Sequence, residues 1–173
     1  MIAKTKPGLK IGAALAVLAV AVLIGGGPLA ATQQAAPAAV DVSKLSKDEI
    51  ETLIYERQQL MIQIDKDSEL LGEIVAGIAP AAKLKETTAA LARDAKESHG
   101  AFSMKVPGGR TKPEAWSNWA DFSKRLDAFV AGAEQIAKLG ETGSVPAVND
   151  VLGEAMTCKG CHDLYREPKK PTT

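Results

Sequence analysis

The chain has 173 residues, 46% hydrophobic and 24% charged, the proportions of an ordinary one-domain globular protein. Its 21 basic side chains equal its 21 acidic ones, so no basic excess points to nucleic acid. Aromatics make up only 4%, and after residue 40 no β-branched run alternates strictly, whereas alanine, leucine, lysine and glutamate abound and favour helix.

The N-terminus departs from this balance. Lys4, Lys6 and Lys10 precede an apolar run from Ile11 to Ile24, and no acid occurs before Asp41. A positive start, a short apolar stretch and small residues beyond it predict an export signal. Ala36-Pro37-Ala38 has the form of a cleavage site, and Pro28 to Ala31 offers another. If Gly25 to Ala31 lengthen the apolar run, residues 11–31 would instead anchor the chain in the inner membrane, since a span needs about 20 residues. Residues 1–38 are therefore read as signal or anchor plus linker, and 39–173 as the folded domain. Removing the three lysines leaves 18 basic side chains against 21 acidic.

Ser46-Lys47-Asp48-Glu49 is a capping box and predicts a helix start. Apolar residues then recur at helical intervals: Ile50, Leu53, Ile54, Leu60, Met61, Ile64, Leu71, Ile74, Val75 and Ile78. Pro80 opens a second helix with a thin stripe of Leu84, Leu91 and Ala95. The pattern breaks from His99 to Lys112, where "VPGGRTKP" reads as a loop. A third helix begins near Pro113 and carries Trp116, Trp119, Phe122, Leu126, Phe129, Val130, Ala133 and Ile136, ending at "LGETGSVP". The fourth runs from about Pro146 to Arg166, with Val148, Val151, Leu152 and Ala155 inward. The predicted fold is all-α, an antiparallel four-helix bundle large enough to stand without disulfides.

Continued, the fourth stripe reaches Cys158, Cys161, His162 and Tyr165, at offsets i, i+3, i+4 and i+7 on one helical face. Both sulfurs and the imidazole thus face inward together. C-x-x-C-H is the attachment signature of c-type haem: the thiols add to two vinyl groups and the imidazole ligates iron. A disulfide would use no histidine and would close only a tiny loop. A thioredoxin-like pair needs a βαβ setting, and structural zinc needs a fourth ligand. Export agrees with haem c, which is attached outside the cytoplasm.

A C-x-x-C-H close to the end of a four-helix chain resembles the class II cytochromes c, the cytochrome c prime group with its low-spin His/Met members. The likeness spans about Lys47 to Arg166 and is carried by "IYERQQLM", "KPEAWSNWADFSKRLDAF" and "CKGCHDLYR" in that order. It implies one covalent haem c with its iron: thioethers at Cys158 and Cys161, His162 as proximal ligand, Arg57 near the propionates, Arg166 one turn beyond the histidine. Met61 falls where the family presents its distal residue, a ligand in low-spin members and an unbound apolar group in high-spin ones. With His99 read as exposed at a helix end, Met104 in a loop and Met156 on the helix of His162, Met61 is the preferred sixth ligand. Thioether ligation raises the potential and suits outer-sphere electron transfer.

The expected function is that of a periplasmic electron carrier with a redox partner protein, leaving room for a homodimer. The alternative is a five-coordinate protein binding nitric oxide or carbon monoxide. No acid–base pair beside the distal position suggests an enzyme, and Asp65, one turn past Met61, reads as a surface carboxylate.

Overall fold

The computed structural model describes residues 41–169; the expected signal or anchor and its linker lie outside them. Six helices follow in order: α1 (Lys47–Val75), α2 (Leu84–Ser103), α3 (Glu114–Ser117), α4 (Trp119–Gly140), α5 (Val145–Ala155) and α6 (Cys158–Tyr165). Sequence neighbours pack together, α1 on α2, α2 on α4 and α4 on α5, which builds the four-helix bundle. The described residues form no strand beyond two isolated β-bridges. None of the described helices is long and apolar enough to cross a membrane.

The start of α1 is the capping box read from sequence. Ser46 Oγ accepts from the Glu49 N–H at 3.2 Å, and the Ser46 N–H donates to Glu49 Oε2 at 2.7 Å. Its end is a Schellman motif: the Gly77 N–H donates to Ile74 O and the Ile78 N–H to Glu73 O. Gly77 takes φ +74°, which a side chain would strain. Ile78 therefore lies beyond the helix and is 77% exposed, so it does not belong to the core stripe.

Two clusters form the interior. The larger joins Ile64, Leu71 and Ile74 of α1 with Leu84, Leu91 and Ala95 of α2, Ala133 and Ile136 of α4, and Val148 and Ala155 of α5. The smaller is aromatic: Phe102, Phe122 and Tyr165 with Ala115 and Leu126, the Phe122 ring standing edge-on to both other rings at 5.4 and 4.9 Å. Met61 packs against both. The thin stripe of α2 is completed by small hydroxyls. Ser98 Oγ and Ser103 Oγ donate back to the carbonyls of Ala95 and His99, which lets them sit inside without unpaired donors. Glycines let α4 come close to its neighbours: a Cβ at Gly132 would meet the Ala155 backbone, and one at Gly140 the Thr88 side chain.

Three boundaries differ from expectation. Helix α2 continues through His99 to Ser103, because its buried face, ending in Phe102 and Ser103, outweighs the weak propensity of Gly100. The third helix is broken at Asn118, whose φ −112° and ψ 49° leave the helical region. The fourth is broken at Met156 and Thr157, so α5 and α6 are separate. Trp116, Trp119, Phe129, Val130, Val151 and Leu152 are half-buried rather than enclosed.

One buried carboxylate on α1 has a neighbouring carboxylate, Asp94, on α2. Asp67 is 8% exposed; its Oδ1 accepts from Gln63 Nε2 at 3.0 Å, and its Oδ2 has no partner. Burial pushes its pKa up, and the neighbouring Asp94 carboxylate pushes it further. A raised native pKa means that the folded chain holds this proton more tightly than the unfolded one. Its stabilising contribution is complete below the unfolded carboxylate pKa of about 3.9 and is lost as pH rises through the native value. Asp67→Asn should therefore raise Tm at neutral pH, and the gain should shrink toward zero as pH falls to 3. A gain independent of pH would assign the effect to packing instead.

Candidate functional site

At the aromatic end of the bundle lies a cavity of about 590 Å³, within the ~300–1,000 Å³ range of cofactor sites. One wall comes from α6: Cys158, Cys161, His162 and Tyr165 all line it, as their spacing predicts. The facing residues come from α1, where Ile54, Arg57, Gln58, Met61 and Asp65 follow helical intervals. Phe122, Leu126 and Phe129 of α4 supply apolar surface, and residues 108–111 of the α2–α3 loop close one side.

Both cysteines are free, Cys158 exposed and Cys161 half-buried, and partial loss of solvent around each pushes both thiols up. Burial pushes His162 down, and the cations of Arg166 and Arg110 push it the same way. At neutral pH this wall presents two thiols and a neutral imidazole, the form that ligates a metal.

Arg57 explains the charge balance of the cavity. It is 4% exposed, its guanidinium lying 5.1 Å from the Trp116 ring centre and 5.5 Å from that of Phe102. One terminal nitrogen donates to Val106 O at 2.7 Å; the other is buried without a partner. Burial accordingly lowers its pKa. A buried, half-satisfied guanidinium facing a cavity also lined by Arg110, Arg125, Arg166 and Lys169 calls for an anionic occupant. An anionic planar group held by two sulfurs and one imidazole fits this lining.

Met61, half-buried, stands across the cavity lining from α6. Arg166 is exposed at the margin. Asp65 is exposed yet does line the cavity. His99 is not in the lining; its Nε2 lies 3.1 Å from Asp127 Oδ1 and its side chain is 32% exposed, so it bridges α2 to α4. Met156 caps α5 and packs into the larger cluster.

Sequence reasoning missed the residues that hold α6 in place. Lys112 N–H donates to Tyr165 O at 2.9 Å, Glu167 N–H to Arg110 O at 2.7 Å, and the Arg110 guanidinium to Glu167 O. Tyr165 Oη donates to Asp121 Oδ2 at 2.6 Å and accepts from Asn118 Nδ2 at 3.0 Å. Asp121 also takes the fork of Arg125, an i,i+4 pair visible in sequence only as surface charge.

Comparison with known proteins gives consistent matches. The family model described as Cytochrome C′ matches residues 52–166. A cytochrome c′ of Alcaligenes xylosoxydans xylosoxydans is 30% identical over 99 residues, 56% of this chain and 78% of that protein. One of Rubrivivax gelatinosus is 29% identical over 102 residues, covering 58% and 71%. Solved structures of Alcaligenes xylosoxidans cytochrome c prime variants, one with bound nitric oxide and one with bound carbon monoxide, superpose with TM-score 0.64 at 26% identity, over 69% of this chain and 97% of theirs.

Proposed function

The chain belongs to the cytochrome c′ family, which carries one covalent haem c, and we propose that it is a five-coordinate haem protein that binds nitric oxide or carbon monoxide on its Met61 side. Haem, when bound, would supply the iron that takes up the diatomic ligand. In this reading Cys158 and Cys161 form the thioethers and His162 is the single protein ligand. Arg57, with Arg110 and Arg166, neutralises the propionates.

The observation that carries the reading is the position of Met61. Its side chain packs against both core clusters. A thioether so engaged is a wall of an apolar pocket, with Ile54, Leu126 and Phe129 completing it. Such an apolar wall suits a small uncharged gas. The nitric oxide and carbon monoxide complexes of the Alcaligenes protein favour the same choice.

This reverses the order of the two readings reached from sequence, which placed Met61 ligation and electron transfer first. The positively charged start of the chain and its apolar run support export, and we place the mature protein in the periplasm.

The ferric protein should be high-spin, and the ferrous protein should bind carbon monoxide without mutation. Met61→Ala should then speed carbon monoxide association about tenfold, equivalent to ~1.4 kcal/mol off the barrier. Flash photolysis measures this directly. A low-spin ferric spectrum with a sulfur charge-transfer band, and carbon monoxide binding only after Met61 is removed, would restore the His–Met electron carrier.

A further inference from the structure

Helix α6 carries both cysteines and the histidine, yet little in its own sequence holds it still. It has eight residues, well below the roughly 12–15 an isolated helix needs. Thr157 makes no side-chain cap, the first turn has no acid, and the break at Met156 and Thr157 uncouples it from α5. Tyr165 is its single buried residue.

Its C-terminal end is secured at several points: Tyr165 Oη to Asp121 and Asn118, Tyr165 O to Lys112, and Glu167 to Arg110. At its N-terminal end one side-chain tie to the bundle reaches across from α4. Arg125 donates to Gly160 O at 3.0 Å, on the residue between Lys159 and Cys161. The same guanidinium is oriented by Asp121, with Nε at 2.6 Å from Oδ2 and a terminal nitrogen at 3.3 Å from Oδ1. Gly160 and Tyr165 are five residues apart, about 7.5 Å along the axis. A helix pinned only at Tyr165 is free to tilt; pinned at Gly160 as well, it is not.

Thioethers at Cys158 and Cys161 would tie α6 to the cofactor, but not to the rest of the bundle. We propose that Arg125 is a positioning residue that registers α6, and with it the His162-bound cofactor, against α4. The pair itself adds little stability, since Arg125 and Asp121 side chains are 35% and 37% exposed and such i,i+4 pairs are weak. Its effect is geometric: a site must be held within about 0.5 Å and 10–20° to keep one set of properties.

The proposal rests on the reading of Cys158, Cys161 and His162 as the haem site, and its test separates the two. Resonance Raman spectra of the ferrous holoprotein report the iron–histidine stretch, and ferric electron paramagnetic resonance reports the spread of iron geometries. The unmutated protein should give one narrow iron–histidine band. Arg125→Leu should broaden or split that band and widen the ferric resonance while leaving the haem attached. Asp121→Asn should do so to a smaller degree, because Arg125 loses its orienting carboxylate charge. Arg125→Lys should restore part of the band sharpness, and Asn118→Ala, which removes a bond to Tyr165 outside the cavity and keeps the Gly160 tie, should retain the narrow band despite any loss of Tm. Unchanged spectra in Arg125→Leu, or equal broadening in Asn118→Ala, would overturn the positioning role. An unmutated ferrous protein with no iron–histidine band would instead overturn the five-coordinate reading of the site, because a six-coordinate low-spin haem gives none, and haem absent altogether would overturn the haem-site reading.

Discussion

Replacing both Cys158 and Cys161 with alanine should yield a chain from which acid–acetone extracts all of its haem, whereas the unmutated protein should release none. Each single replacement should keep one thioether, and its pyridine haemochrome band should move to longer wavelength because one vinyl group survives. The expectation rests on placement. Both thiols and the imidazole line one cavity wall, and both sulfurs are free. Competing uses of the motif find no support in the fold. The setting is helical, so a thioredoxin-like pair lacks its βαβ frame. Haem that resists extraction from the double variant would show attachment elsewhere.

Arg57→Met should lower the stability of the haem-loaded protein by about 2–5 kcal/mol. The charged donor to Val106 O accounts for roughly 1.5–3 kcal/mol, and the contacts with Trp116 and Phe102 for a further ~0.5–2 kcal/mol. Methionine keeps an unbranched stem in the same space, so the loss reports the guanidinium rather than a cavity. In the chain lacking both thiols and stripped of its haem the same substitution should cost less, because there the second nitrogen stays buried and unpaired. A double-mutant cycle in guanidinium chloride measures that difference, and ~1 kcal/mol or more of coupling is expected. Arg57→Lys should not rescue, since a single ammonium cannot meet Val106 O and an anion in the fork geometry. Zero coupling would place the anionic partner of Arg57 elsewhere.

Much of this was legible in the chain. The capping box at Ser46, the stripe of α1 and the C-x-x-C-H face are each where spacing puts them, because local rules act there without competition. The breaks at Asn118 and Thr157 were not legible, for a definite reason. Trp116, Trp119 and Phe122 are three residues apart, as are Ala155 and Cys158, so the apolar interval runs unbroken across both interruptions. Counting intervals detects the face, not the continuity of the helix. The role of Arg125 was hidden for another reason: its distant partner is a backbone carbonyl 35 residues away, and a carbonyl leaves no mark in composition. His99 misled because Gly100 resembles a stop, while packing carried α2 onward to Ser103.

The loop that meets the end of α6 also bears on how the chain folds. The bonds that close the cavity span 49 residues between Arg57 and Val106 and 57 between Arg110 and Glu167. Bundle contacts bridge similar stretches, since α2 meets α4 where Gly140 lies against Thr88 and α1 also meets α5. Loop closure therefore costs pocket and scaffold about the same. The ligand-binding end is expected to form together with the bundle, in one cooperative transition rather than as a separable lid.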